Sequence, residues 1–221
     1  NLVAVSADGF RVSVKAIATK VGKGKNAILP VEAVEKLSKV LNGKGTVTAR
    51  LDAARILVAW ENSDTQGMVG GSLLAMEYPD VSAILKSAAE APRAGLLANR
   101  DQLLAGLRQA EIFAREDHNT VTITPQEGGF ALQAESDSGS TSAVVQAELT
   151  GSLPNVAVNA RFLRDAVESI SAEMVLVQFV GARNLTWIYP AQAQSGGGFV
   201  KDPSQLGLIM PMAPKPKSEA G

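Results

Sequence analysis

Apolar positions along the chain repeat one pattern three times: a short apolar run, a polar or proline helix start, a stretch with apolar residues three and four apart, then alternating stretches. In the first copy Ala27-Ile28-Leu29 reads as a strand and Pro30 as the first helical residue. Val34, Leu37, Val40 and Leu41 then share one face of a helix that Asn42-Gly43 ends. Thr46 to Leu51, Arg55 to Trp60 and Met68 to Met76 follow as strands. The second copy has a strand from Gly95 to Ala98, Asn99 as a helix N-cap, and Leu103, Leu104, Leu107 and Ala110 at helical spacing. Strands follow at Thr120 to Thr124, Phe130 to Glu135 and Ser142 to Leu149. The third has Val156-Ala157-Val158, Asn159 as N-cap, and a helix burying Phe162, Leu163, Ala166, Val167 and Ile170. Its strands are Met174 to Val180, Leu185 to Tyr189 and Leu206 to Met212.

Repeated units of one helix and about four antiparallel strands predict an α+β fold with the helices on one side of the sheets. If two units make a domain, the chain holds one and a half. Residues 1–77 are half of one domain, 78–212 a complete one, and 213–221, rich in Pro and Lys, a disordered tail.

Composition narrows the chemistry. With 46% hydrophobic and 19% charged residues in 221, the chain is globular. No Cys is present, which excludes disulfides, thiolate metal sites and a thiol nucleophile. The lone His118 lies in the polar turn Arg115-Glu116-Asp117-His118-Asn119 with no suggested nucleophile or orienting partner, and no Gly-rich run carries a phosphate loop. Gly196-Gly197-Gly198 reads as a hairpin loop. A catalytic site, a metal and a cofactor are therefore not expected; an enzyme built on His118 would lose turnover in His118→Ala. No apolar run reaches the ~20 residues of a membrane helix, so a cytoplasmic protein is expected. The chain opens at Asn1 straight into apolar residues, which reads as an internal start of a longer chain. Net charge is −1, but Lys and Arg crowd the first 55 residues, a pattern that fits either a polyanion-facing surface or a solvated face.

Four segments carry a family resemblance. Val5-Ser6-Ala7-Asp8-Gly9-Phe10-Arg11-Val12, Tyr78-Pro79-Asp80, Asn159-Ala160-Arg161-Phe162-Leu163 and Leu208-Ile209-Met210-Pro211-Met212 stand in the order and at the spacing of motifs in the bacterial DNA polymerase III beta subunit, the replicative sliding clamp. Each motif is short, but four in register cover nearly the whole chain. The resemblance implies a DNA-clamp fold. It also implies that this chain matches the second half of that family's middle domain plus its third domain, without the first.

It further implies function. The family's ring of two subunits encircles duplex DNA and tethers polymerase, clamp loader and repair proteins. These insert short peptides containing Gln and a Leu-Phe pair into an apolar pocket. Carried over by motif, that pocket would be lined by Ala7, Gly9, Phe10, Arg11, Val12, Pro79, Ile84, Asn159, Phe162, Leu208, Ile209, Met210, Pro211 and Met212. Apolar, Met-containing clefts suit such peptides. The resemblance implies DNA-facing Lys36, Lys39, Arg108, Arg161 and Arg164, touching phosphates without sequence preference. Pairs four apart (Glu32 with Lys36, Glu35 with Lys39, Arg161 with Asp165, Arg164 with Glu168) offer these cations an alternative use along their own helices. Ile112 and Phe113 match a pair that contacts the neighbouring subunit, and a homodimer ring is expected only of the full-length chain. Ala7 and Ala83 replace residues that are usually Thr and basic, Ala213 follows Met212 where Arg is common, and Phe10 replaces His or Tyr. The rival expectation is a truncated or degenerate clamp-like peptide-binding module that does not encircle DNA.

Overall fold

A computed structural model describes residues 1–19, 26–41, 45–87, 94–180, 185–195 and 198–212. Asn42-Gly43, Gly196-Gly197 and the tail 213–221 lie outside these. The chain divides into two compact units: Asn1–Lys20 together with Ser82–Gly221, and Val21–Val81. The compact units part at Lys20–Val21 and at Val81–Ser82, and strand pairing groups the first residues with the last.

In the larger unit, β1 (Leu2–Ala7) and β2 (Arg11–Ile17) form a hairpin, and β2 pairs antiparallel with the final strand β14 (Gln205–Ile209). The remaining elements are α2 (Ser82–Ser87), β6 (Ala94–Asn99), α3 (Arg100–Ala114), β7 (Thr120–Gln126), β8 (Gly129–Ser136), β9 (Gly139–Gly151), β10 (Val156–Asn159), α4 (Ala160–Glu168), β11 (Met174–Val180), β12 (Leu185–Ala193) and β13 (Phe199–Lys201). The strand order is β1-β2-β14-β12-β11-β6-β9-β8-β7-β10, with β13 beside β12 and every pairing antiparallel. Residues 139–146 of β9 pair with β8 and residues 147–151 with β6, so one strand serves two sheets.

The helices α3 and α4 cover these sheets because their apolar residues fall on one face. Leu103, Leu104, Leu107 and Ala110 of α3 are buried against β8 and β9. Leu163 and Val167 of α4 and Ile170 beyond it are buried too, while Phe162 and Ala166 are partly buried at the margin of the core. Phe130, Leu132, Val177 and Ile188 complete the cluster. Each fully buried Leu, Ile, Val or Phe side chain among them contributes roughly 1.5–3 kcal/mol. Gly106 lets α3 approach the sheet: a Cβ there would lie 2.9 Å from Val145 Cγ2.

In the smaller unit, α1 (Val31–Val40) accompanies the antiparallel sheet β3 (Thr46–Leu51), β4 (Arg55–Glu61) and β5 (Gln66–Ser72). Several expected details differ here. Ala27–Leu29 is not a strand; its backbone accepts one hydrogen bond, from Leu74 N–H to Ile28 O at 2.9 Å. Pro30 is the N-cap, with ψ 146°, because its extended backbone precedes the first helical turn. None of α1 is buried, and Val34 and Val40 are exposed.

Candidate functional site

The site begins at the β1–β2 turn. Asp8 Oδ1 accepts the backbone N–H groups of Phe10 and Arg11, each at 3.1 Å, and Gly9 takes φ +86°, where a side chain would be strained. The turn leaves the Phe10 side chain 64% exposed. Arg11 donates from Nε to Asp8 Oδ2 and from Nη1 to Asp165 Oδ2, both at 2.8 Å. Its guanidinium carbon stands 4.4 Å from the centre of the Phe162 ring, and the Phe10 ring is 6.5 Å from that ring at 31°.

Phe162 is held by the start of α4. Asn159 Oδ1 accepts from Phe162 N at 3.1 Å, and Asn159 Nδ2 donates to His118 O at 3.2 Å. His118 and Asn119 both have positive φ, 51° and 59°, in the turn that feeds β7, and Asn119 O accepts from Ala160 N at 2.8 Å. The expected Asn159 cap is therefore present, and His118 serves the turn through its backbone carbonyl.

The end of β14 supplies the third side. Leu208 and Ile209 are buried and pair with Val12 and Arg11. The strand ends at Ile209, short of the expected Met212. Met210 N donates to Phe10 O and Met212 N to Ala157 O, both at 2.9 Å, with Pro211, which has no N–H, between them. These three residues thus cross from the β1–β2 turn to β10 rather than extend a ladder. Met210 is 42% exposed.

Charges link the pieces. Arg164 donates from Nη1 to Glu111 Oε2 at 2.7 Å and from Nη2 to Asp165 Oδ1 at 3.4 Å, and its Nε lies 3.9 Å from Glu168 Oε1. Arg108 reaches the same Glu168 oxygen at 3.2 Å. Burial pushes the Asp8 carboxyl up, but hydrogen bonds from the Arg11 side chain and the Phe10 N–H outweigh it and hold Asp8 below its ordinary value. Burial likewise works against the Arg11 charge, and the bonds to Asp165 and Asp8 raise its pKa above the usual arginine value. Asp165 and Glu111 are the members that sequence spacing misses. Spacing pairs Asp165 with Arg161, four residues away, whereas its partners are Arg11 and Arg164.

Of the other sequence-predicted residues, Val12 is buried, and Ala7 is exposed opposite it in the β1–β2 ladder. Ile84 lies on α2, and Pro79 belongs to the smaller unit. Arg161 is exposed, whereas Arg164 and Arg108 are engaged with carboxylates. Lys36 and Lys39 stand on α1. Ile112 is exposed, while its neighbour Phe113 packs on the core. Two clefts, of about 400 and 260 Å³, lie in the smaller unit and are lined by none of the expected pocket residues. Among the described residues, no group of three His, Cys, Asp or Glu side chains could hold a metal, and no helix is long and apolar enough to cross a membrane.

Comparison with known proteins places the start of α4, but not the turn 8–11 or residues 210–212, within a family match. Residues 90–197 match the family model of the DNA polymerase III beta subunit, C-terminal domain. The chain is 26% identical over 149 residues to the beta sliding clamp of Chlamydia pneumoniae and 20% identical over 189 residues to that of Bacillus subtilis. These matches cover 67% and 82% of this chain but only 39% and 48% of the relatives, so the chain spans less than half the length of either. The crystal structure of a DNA polymerase sliding clamp from Pseudomonas aeruginosa with ligand superposes with a TM-score of 0.79 at 19% identity, over 95% of this chain and 54% of that one.

Proposed function

We propose that the chain is part of a DNA sliding clamp, a reading supported by the match of residues 90–197 to the family model of the DNA polymerase III beta subunit, C-terminal domain. In this reading residues 1–77 are the second half of a middle clamp domain and residues 78–212 a complete C-terminal domain. The chain is a non-catalytic accessory of a replicative DNA polymerase and works in the cytoplasm. Its task is to hold polymerase, clamp loader and repair proteins by short Gln- and Leu-Phe-containing peptides. With its remaining part it forms a homodimeric ring around duplex DNA, touching phosphates through exposed cations such as Arg161, Lys36 and Lys39.

One observation carries the peptide site: the turn 8–11, the start of α4 and residues 210–212 are far apart in sequence, yet the exposed Phe10 ring stands 6.5 Å from the half-buried Phe162 ring and Phe10 O accepts from the N–H of the exposed Met210. Such a mixture of aromatic, methionine and one positioned cation fits a short apolar peptide. Fluorescence anisotropy of a labelled Gln- and Leu-Phe-containing peptide tests it. Saturable binding near micromolar Kd, about −8 kcal/mol, weakened by Phe162→Ala and Met212→Ala variants of intact fold, is the expected result. Absence of binding by the folded chain would overturn the peptide site.

A further inference from the structure

The guanidinium of Arg11 already gives two of its N–H groups to acids of its own chain. Its face lies on the Phe162 ring at 4.4 Å, Nε donates to Asp8 and Nη1 to Asp165, and the side chain is still 37% exposed. A cation meant to capture a carboxylate would bring it uncompensated positive charge. Here both neighbours are acids, and the linked group as a whole sets four carboxylates (Asp8, Asp165, Glu111 and Glu168) against three guanidinium groups (Arg11, Arg164 and Arg108). The two acids that hold Arg11 differ in what they do. Asp8 is occupied by its own turn, accepting two backbone N–H groups. Asp165 lies three residues after Phe162 on α4, so one helix face presents both the ring and the carboxylate that fixes a cation against it. Arg164 in turn holds Asp165 at 3.4 Å.

We propose that Arg11 acts in the peptide site as a flat platform whose charge is met from within the chain, that Asp165 is the residue positioning it, and that the group accepted beside Phe162 is therefore neutral rather than anionic. This rests on the peptide-site reading above and adds the chemistry of the occupant. An apolar or aromatic peptide end finds a continuous surface of Phe10, Arg11 and Phe162, whereas a carboxylate meets Asp8 and Asp165.

Two labelled peptides decide the matter, identical except that the terminal Phe of their Leu-Phe pair is a free acid in one and an amide in the other. Both are titrated into the full chain, with the fold of each variant checked by circular dichroism. The wild type is expected to bind the amide about threefold or more tighter, the scale of a partly exposed charge contact. Its affinity for the amide should change less than about twofold as salt rises across the screening range. Asp165→Asn, which keeps shape and removes charge, should bring the acid to parity or ahead, and Asp165→Glu should restore the original order. Arg11→Lys keeps the charge but loses the plane, and should weaken both peptides about tenfold. A wild type that prefers the acid, an order untouched by Asp165→Asn, or an Arg11→Lys variant that keeps its affinity for the acid peptide would overturn this inference and leave the peptide site standing. Failure of the folded wild type to bind either peptide would overturn both.

Discussion

Arg164 Nη1 donates to Glu111 Oε2 across 2.7 Å, and the Glu111 side chain is only 5% exposed. Glu111 Oε1 and Arg164 Nε have no hydrogen-bond partner among the described residues, so the pair carries desolvation that its geometry offsets only in part. Removing one member is expected to cost far more than removing both. Arg164→Met leaves a buried carboxylate and should cost about 2–4 kcal/mol, whereas Glu111→Leu combined with Arg164→Met should fall within about 1 kcal/mol of the wild type. Urea denaturation of the three chains measures this, and a double variant as unstable as the single one would contradict it.

The N-cap of α4 gives a second expectation. Asn159→Ala removes the acceptor for Phe162 N and the donor to His118 O, and should cost about 1 kcal/mol. Because the same bonds seat Phe162, peptide affinity should fall as well. Asn159→Asp retains the acceptor and should keep most of the stability. Thermal melts of the two variants beside the wild type, with the anisotropy titration repeated on each, check both effects.

Trp187 is fully buried and stacked on Tyr189 at 6.5 Å, yet its indole N–H has no partner among the described residues. Trp187→Phe thus loses volume but also removes an unsatisfied donor, and should cost less than the ~3–5 kcal/mol of a large aromatic truncation to Ala. Thermal unfolding of the Phe and Ala variants separates the two contributions.

Acidity should act through Asp8. Its carboxyl titrates below the ordinary 3.8, so its stabilising contribution is whole above that value and is lost as pH falls through the lower folded value. The stability gap between the wild type and Asp8→Asn should accordingly be constant near neutrality and close only below pH 3.8. A gap that closes well above pH 3.8 would show that Asp8 is not held by Arg11 in solution.

Close packing of α3 offers a test of the core. Gly106→Ala drives a methyl group against Val145 and Leu132 and should destabilise the chain by about 1–3 kcal/mol, despite the better helix propensity of Ala. A stabilised variant would mean that the helix stands further from the sheet.

Local chemistry makes much of this fold legible. The α3 and α4 faces, both Asn caps and the strands Thr46–Leu51 and Met174–Val180 follow from spacing that neighbouring residues impose. What fails locally is decided at long range. Leu2–Ala7 and Arg11–Ile17 are strands that spacing does not single out, and β2 pairs with β14 almost two hundred residues away. Leu206 to Met212 reads as one strand, but Pro211 cannot join a ladder, and the flanking N–H groups find Phe10 and Ala157 instead. At the site, the Asp8 turn and Phe162 are visible as motifs, whereas the Arg11–Asp165 contact spans 154 residues and has no sequence signature. Helical spacing offers Asp165 the nearer Arg161, and the folded chain gives it to Arg11.

The strand Gly139–Gly151, which lends its first residues to one ladder and its last to another, has a bearing on how the larger unit opens. The two ladders take separate residues but run without a break along one backbone, so the ladder-bonded amides of this strand sample both halves of the unit. Equal, slow deuterium exchange on either side of Ala147 would mean that the halves open together, and faster exchange on one side would mean that they open apart.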